Sequence, residues 1–228
     1  MLQLIVEGAE SKELAFEVRK LLNLGRTPRD QSAIMKHAEE LRKQGIPIGP
    51  HVGPVFTPKM ADRLTTANRI ETISEKSSGE AEFVLLLGKG SMWVGVGSDH
   101  TDREHQKYSI TVAKQLCPNV MAREVWRHED VKGHWDDLVL RGWVEQDGQL
   151  QLYQEGRLSG MLLPDEMIEA SRPHIVGDME GMAIFGGTFP IIGGDMIFCS
   201  RFKAELVDER LGRALVCDYT VEPLSWFR

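Results

Sequence analysis

Ser78–Gln106 reads SGEAEFVLLLGKGSMWVGVGSDHTDREHQ. Glu80 and Glu82 stand two apart at the head of an apolar run, Phe83 to Leu87. In an extended strand alternate side chains share a face, so both carboxylates point the same way. A second strand-like run, Met92 to Gly97, ends in the cluster Asp99-His100-Thr101-Asp102. If the two strands are neighbours, at least three carboxylates meet at one place. Oxygen-rich sets of this kind suit hard cations such as Mg²⁺ or Mn²⁺, which keep positions open for water and substrate. The same residues also fit an acidic strand start followed by a solvated turn, and spacing alone leaves both readings open.

Composition sets the frame around this stretch. A chain of 228 residues can bury a large core, as one sizeable domain or as a domain with a small appendage. Its net charge of −7 and the lack of any Lys/Arg run argue against a nucleic-acid partner. Cys117, Cys199 and Cys217 are odd in number and widely spaced, with no CxxC pair, which suits a reducing cytosol. No apolar run approaches the roughly 20 residues of a membrane span, and a charged segment begins by Glu10 where a signal peptide would lie. The expectation is a soluble cytoplasmic protein without a membrane partner.

Outward from the acidic stretch, Met1 to Gly8 reads as a strand. Leu14, Phe16, Val18, Leu21 and Leu22 broadly fit a helix from Ser11, and a second helix follows from about Arg29. His37 and Glu40 are neighbours on that second helix, as residues three apart must be. The segment IPIGPHVGPVFTPK reads as an extended connector and marks a boundary near residue 60. Lys107 to Leu116 fits a helix. Val120 to Trp135, rich in His, Asp, Glu and Lys, reads as a surface or site-facing loop. Asp137 to Val144 and Leu150 to Tyr153 form a hairpin around Gln146-Asp147-Gly148. Pro164 opens a helix to about Ser171, and Gly181 to Gly194 suggests closely approached strands. Phe198 to Leu206 and Arg213 to Val221 form a closing hairpin.

The ordered set of motifs resembles the fumarylacetoacetate hydrolase superfamily. Glu80-Ala81-Glu82 matches its E-x-E pair, and Asp99 to Gln106 matches its D-x-x-x-R-[DE]-x-Q segment. Lys132-Gly133-His134-Trp135-Asp136 resembles its K-[GS]-F-D motif with one residue more before the aspartate. Gly187-Thr188-Phe189-Pro190 with Gly193-Gly194-Asp195 resembles its late G-T-P and P-G-D turn, and His37 and Glu40 its H-x-x-E dyad. The resemblance covers roughly residues 24 to 224.

It implies an α+β, predominantly β fold with a mixed β-roll or barrel core. A small N-terminal α/β segment with a lid-like helix (1–60) would precede a β-rich catalytic domain (61–228). It implies Mg²⁺ or Mn²⁺ on Glu80, Glu82 and Asp99, with His37 and Glu40 activating water and Lys132 stabilising an enolate. Arg103, Gln106 and Thr188 become substrate contacts, the substrate being a small carboxylic acid. The implied activity is hydrolysis of a C–C bond in a 2-oxo or β-dicarbonyl acid of the acylpyruvate type. A 2-oxo acid lyase at the same site and a non-catalytic metabolite-binding or scaffold protein are the alternatives. A homodimer is implied as well.

Overall fold

The computed structural model describes residues 1–8, 11–30, 32 and 53–226. The strands in chain order begin with β1 (Leu2–Val6), β2 (Lys12–Phe16), β3 (Lys20–Gly25), β4 (Val55–Lys59), β5 (Leu64–Thr65) and β6 (Arg69–Thr72). Next come β7 (Ser77–Ser78), β8 (Ala81–Gly88), β9 (Ser91–Asp99), β10 (Thr101–Asp102), β11 (Asn119–Met121) and β12 (Glu124–Arg127). The chain finishes with β13 (Val139–Gln146), β14 (Gln149–Arg157), β15 (Met182–Phe185), β16 (Arg201–Asp208) and β17 (Arg213–Pro223). Between them lie α1 (Arg103–Gln106), α2 (Ile110–Leu116), α3 (His128–Val131) and α4 (Pro164–Ser171).

Among the described residues, ten strands form one mixed sheet. Its path is β2-β1-β12-β9-β8-β15-β3-β4, with β11 joining β9 to β5. A five-stranded sheet, β14-β13-β16-β17-β6, packs against it. The fold is α+β and predominantly β. Strand β8 shows why the larger sheet must curl. Phe83, Leu85 and Leu87 enter the core shared with Leu140, Phe202, Leu206 and Tyr219 of the smaller sheet. Val84 and Leu86 point the other way, into a second core with Leu4, Phe16, Leu21, Val125 and Phe185. That second core is built from strands of the larger sheet alone, so the sheet wraps over itself to enclose it. A strand buried on both faces needs an uninterrupted apolar run, and each such side chain contributes about 1.5–3 kcal/mol by leaving water.

The hairpin β13–β14 turns at Asp147 and Gly148, both with positive φ, as its sequence requires. The closing hairpin β16–β17 and the helix α4 also stand where the sequence places them. Three segments differ from expectation. The helix expected from Ser11 is instead β2 and β3. Leu21, Leu22 and Leu24 are all buried because β3 lies inside the sheet between β15 and β4; two-sided burial erased the alternation and imitated helical spacing. The proline-rich connector ends in a true strand, β4, which tolerates Pro58 at the end of the sheet's path. The polar segment from Val120 to Trp135 is β11, β12 and α3, not a loop. Its tryptophans are buried: Trp126 donates its indole N–H to Glu7 at 2.9 Å, and Trp135 packs edge-on against Phe83. Strands from both sides of residue 60 share the large sheet.

Candidate metal centre

The pairing of β8 with β9 sets the site. Glu82 lies opposite Gly97 and Ala81 opposite Ser98, and the Asp99 amide donates to the Glu80 carbonyl at 3.1 Å. Cross-strand partners share a face, so Glu80, Glu82, Gly97 and Asp99 point one way while Ala81 and Ser98 point the other. Carboxylate oxygens of Glu80, Glu82 and Asp99 all lie within 4.8 Å of one another. Glu82 and Asp99 are buried, at 2% and 0% exposure. Gly97 makes room: a Cβ there would run into the carbonyl oxygen of Val120.

Cations close around the carboxylates. Arg103, the first residue of α1, places Nη2 3.0 Å from Glu80 Oε1, while its Nε donates to Ser78 Oγ and its Nη1 to Gln106 Oε1. Lys114 on α2 reaches Glu80 Oε2 at 3.2 Å and also pairs with Asp99. Ser109 caps that short helix, accepting the Val112 amide, and so fixes where Lys114 emerges. Lys59, fully buried at the end of β4, lies 3.5 Å from Asp99 Oδ1 and donates to Asn119, whose Nδ2 donates to Asn23 at 2.8 Å. From the far side the Gly187 amide donates to Glu82 Oε2 at 2.8 Å. Gly187 has φ of +89°, and a Cβ there would strike Thr27 Oγ1, so the position calls for glycine.

The electrostatics follow from this crowding. Burial pushes the Glu80 carboxyl up, but Lys114 and Arg103 outweigh it and hold the group below its ordinary value. Burial, then the Asp99 carboxylate, drives Glu82 well above the ordinary range. Burial, joined by the nearby Lys114 charge, lowers Lys59 against the opposing pull of Asp99. It also works against Lys114, yet Asp99 and Glu80 raise that group overall. His100, sealed in the interior, is held down at about 3 by burial and then by Arg103 and Lys59, so the ring is neutral. Asp99 Oδ1 is buried without a hydrogen-bond partner. Three converging carboxylates, one kept from ionising by burial and by its neighbour Asp99, and one with an oxygen that accepts no hydrogen bond, fit a hard divalent cation.

The residues singled out from the sequence divide accordingly. Glu80, Glu82, Asp99, Arg103 and Gln106 come together. Thr188 stands beside them through the backbone of β8: its hydroxyl donates to the Ala81 carbonyl at 2.8 Å and accepts from Gln154, which also holds the Ala81 amide. His37 and Glu40 lie outside the described residues. Lys132 is not brought in; it is exposed, pairs with Glu129, and lines a different cavity of about 740 Å³ with Lys12, Leu14 and Trp93. Among the described residues, the lysines at the carboxylates are Lys114 and Lys59. Sequence reasoning missed both, although Lys114 sits on a helix beside a buried position, Ala113, soon after the acidic cluster.

A family model described as "Protein of unknown function (DUF2848)" matches residues 25–219. No curated protein gives a significant match. Solved structures do. Yeast ynq8, a fumarylacetoacetate hydrolase family protein, is 17% identical over 90% of this chain and 94% of its own, with a TM-score of 0.61. A Yersinia pestis CO92 protein assigned to the same family is 14% identical over 97% of this chain and 100% of its own, TM-score 0.63. The 2-keto-3-deoxy-D-arabinonate dehydratase complexed with magnesium and 2,5-dioxopentanoate is 12% identical over 95% and 78%, TM-score 0.65. What the chain shares with them is the fold, which is that of the fumarylacetoacetate hydrolase family.

Proposed function

The chain belongs to the family described as "Protein of unknown function (DUF2848)", and we propose that it is a divalent-metal-dependent enzyme acting on a 2-oxo or β-dicarbonyl acid. The reaction proposed is hydrolysis of a C–C bond in an acylpyruvate-like substrate. The observation that carries this reading is the convergence of Glu80, Glu82 and Asp99 with Lys114 set among them. Support comes also from the shared fold of the dehydratase complexed with magnesium and 2,5-dioxopentanoate, a 2-oxo acid.

Glu80, Glu82 and Asp99 would hold Mg²⁺ or Mn²⁺, and the bound ion supplies Lewis-acid polarisation of the substrate's carboxylate and keto oxygens. The chain's own groups do the rest. Arg103 braces Glu80 from behind, and the Gly187 amide fixes the orientation of Glu82. Lys114, kept charged by its carboxylate neighbours, neutralises the negative charge that builds as the C3–C4 bond breaks. In this reading the lysine role passes from Lys132 to Lys114. His37, oriented by Glu40, takes a proton from water as the water oxygen bonds to the distal carbonyl carbon; that proton then goes to C3. Gln106 and Thr188 contact the substrate. The products are an acid and a pyruvate-type 2-oxo acid. A lyase using the same groups is the second reading, and the dehydratase's shared fold is what favours it. The proposed enzyme is a cytoplasmic homodimer.

The test is a thermal-shift titration with Mg²⁺ and Mn²⁺, with and without oxalate, on wild type and Glu82→Gln. Metal-dependent stabilisation by oxalate that disappears in the variant is expected. Product analysis on acylpyruvates then separates hydrolysis, two acids, from loss of CO₂ or exchange of water. If neither metal shifts the wild type, the enzyme reading gives way to a scaffold or metabolite-binding one.

A further inference from the structure

Ser98 and His100 flank Asp99, and both side chains are tied to one hydroxyl, that of Tyr219 on β17. Tyr219 donates to Ser98 Oγ at 2.9 Å, and His100 Nδ1 lies 2.8 Å from the same phenolic oxygen. Ser98 Oγ also accepts the Glu80 amide at 3.1 Å, while His100 Nε2 meets Ser77 Oγ at 3.0 Å. Ser77, Ser98, His100 and Tyr219 are each at most 2% exposed. A chain of hydrogen bonds thus runs from Ser77 through an imidazole and a phenol to the backbone of Glu80, with no access to water.

We propose that Tyr219 is a positioning residue for the metal centre. Through Ser98 and His100 it fixes the backbone on both sides of Asp99, and through Ser98 it also fixes the backbone at Glu80. One hydroxyl therefore sets the spacing of two carboxylates that it does not touch. The proposal rests on reading Glu80, Glu82 and Asp99 as metal ligands.

The geometry favours this over simple core filling. Ser98 points away from Asp99, as neighbours on a strand do, so its hydrogen bonds can hold the backbone without competing for the carboxylate. The Tyr219 ring packs near Phe202 and His100, with centroids 6.0 and 5.7 Å away, and that packing survives loss of the hydroxyl. The hydroxyl itself can only be there for its partners, because a buried polar group without them is costly. Both ring nitrogens of His100 are engaged, Nδ1 by the Tyr219 hydroxyl and Nε2 by the Ser77 hydroxyl, so the ring is held in one orientation.

Calorimetric titration of Mn²⁺ into wild type, Tyr219→Phe, Ser98→Ala, the double variant and Tyr153→Phe tests the proposal. Tyr153 is the control, a buried tyrosine whose hydroxyl accepts the Ile197 amide at 3.3 Å and takes no part in the chain through Ser98 and His100. Mn²⁺ affinity should fall by about 10-fold or more in Tyr219→Phe and in Ser98→Ala, as when outer supports of metal ligands are removed. The double variant should be no weaker than the weaker single one, because both cut the same chain, and Tyr153→Phe should bind as wild type. Histidine ¹⁵N spectra should show a hydrogen-bonded Nδ1 of His100 in wild type and lose that signature in Tyr219→Phe. A Tyr219→Phe protein that melts earlier but binds Mn²⁺ normally overturns the positioning role; should that variant fail to fold, normal binding by Ser98→Ala does the same. If the wild type binds no Mn²⁺, the ligand reading itself has failed, and the proposal falls with it.

Discussion

Lys114 Nζ stands 3.2 Å from Glu80 Oε2 and at the same time pairs with Asp99. The ammonium therefore shares its carboxylates with any cation bound there, and the two must accommodate each other. Replacing Lys114 by Met should leave Mn²⁺ affinity unchanged or tighter, since a like charge is gone. Turnover should nonetheless fall by about 10²–10³-fold, the usual cost of removing a group that meets developing charge. Titration of Mn²⁺ and measurement of kcat on the same preparations check both halves. A variant with weak metal binding and full turnover would be the opposite of what this arrangement demands.

Lys59 answers to a different need. It is buried between Asp99 and Asn119, and burial already disfavours its charge. Lys59→Met leaves the Asn119 side-chain oxygen Oδ1 without its donor, at a cost of about 1–3 kcal/mol. For a chain of this length that lowers the melting temperature by roughly 2–4 °C per kcal/mol. Thermal melts in the absence of metal isolate this effect from any change in ligand affinity.

Gly97 leaves the space into which Glu82 and Asp99 converge. Gly97→Ala drives a methyl group toward the Val120 carbonyl and Phe185, so β11 must shift away from β9. Overpacking of this kind costs about 1–3 kcal/mol. The variant should melt earlier and bind Mn²⁺ more weakly, whereas Gly133→Ala, with open space around it, should melt close to wild type.

Asp208 supplies the pH dependence. Burial pushes its carboxyl up, but His134 at 3.0 Å, Arg213 at 3.1 Å and the Leu211 amide outweigh that and hold it below the ordinary range. A carboxylate whose folded value is depressed adds stability above its unfolded value, about 3.9. That stability is lost as pH falls through the lower, folded value. Asp208→Asn should therefore be less stable at neutral pH and show a shallower loss of stability on acidification below about pH 4. Denaturant melts from pH 7 down to pH 3 measure the slope.

How far the sequence discloses this arrangement depends on the range of the contacts. Glu80, Glu82 and Asp99 could be read because a single hairpin brings them together, and alternation along a strand is a local rule. The hairpin at Asp147-Gly148 was legible for the same reason. Lys59, Lys114 and Tyr219 were not. Lys59 reaches Asp99 across the sheet from β4 and Lys114 from the following helix, while Tyr219 reaches its neighbours from the other sheet. Nothing in the spacing of residues 59 and 219 encodes such tertiary contacts. Lys132 was chosen because its neighbours resembled a motif, but a local match does not say where a side chain ends up in space. Leu21, Leu22 and Leu24 misled in a similar way, since burial on both faces removes the alternation by which a strand is recognised.

The Gly187 amide that seals Glu82 lies 105 residues further along the chain, and the Tyr219 hydroxyl behind Asp99 comes later still. The acidic hairpin pairs through local contacts, yet it lacks its last braces until β17 is in place. Contacts so far apart in the chain form late, because a long loop must close before either end gains from it. Completion of the carboxylate cluster is thus a report on the whole fold: a chain cut short before β17 carries Glu80, Glu82 and Asp99 but not the Tyr219 hydroxyl behind them.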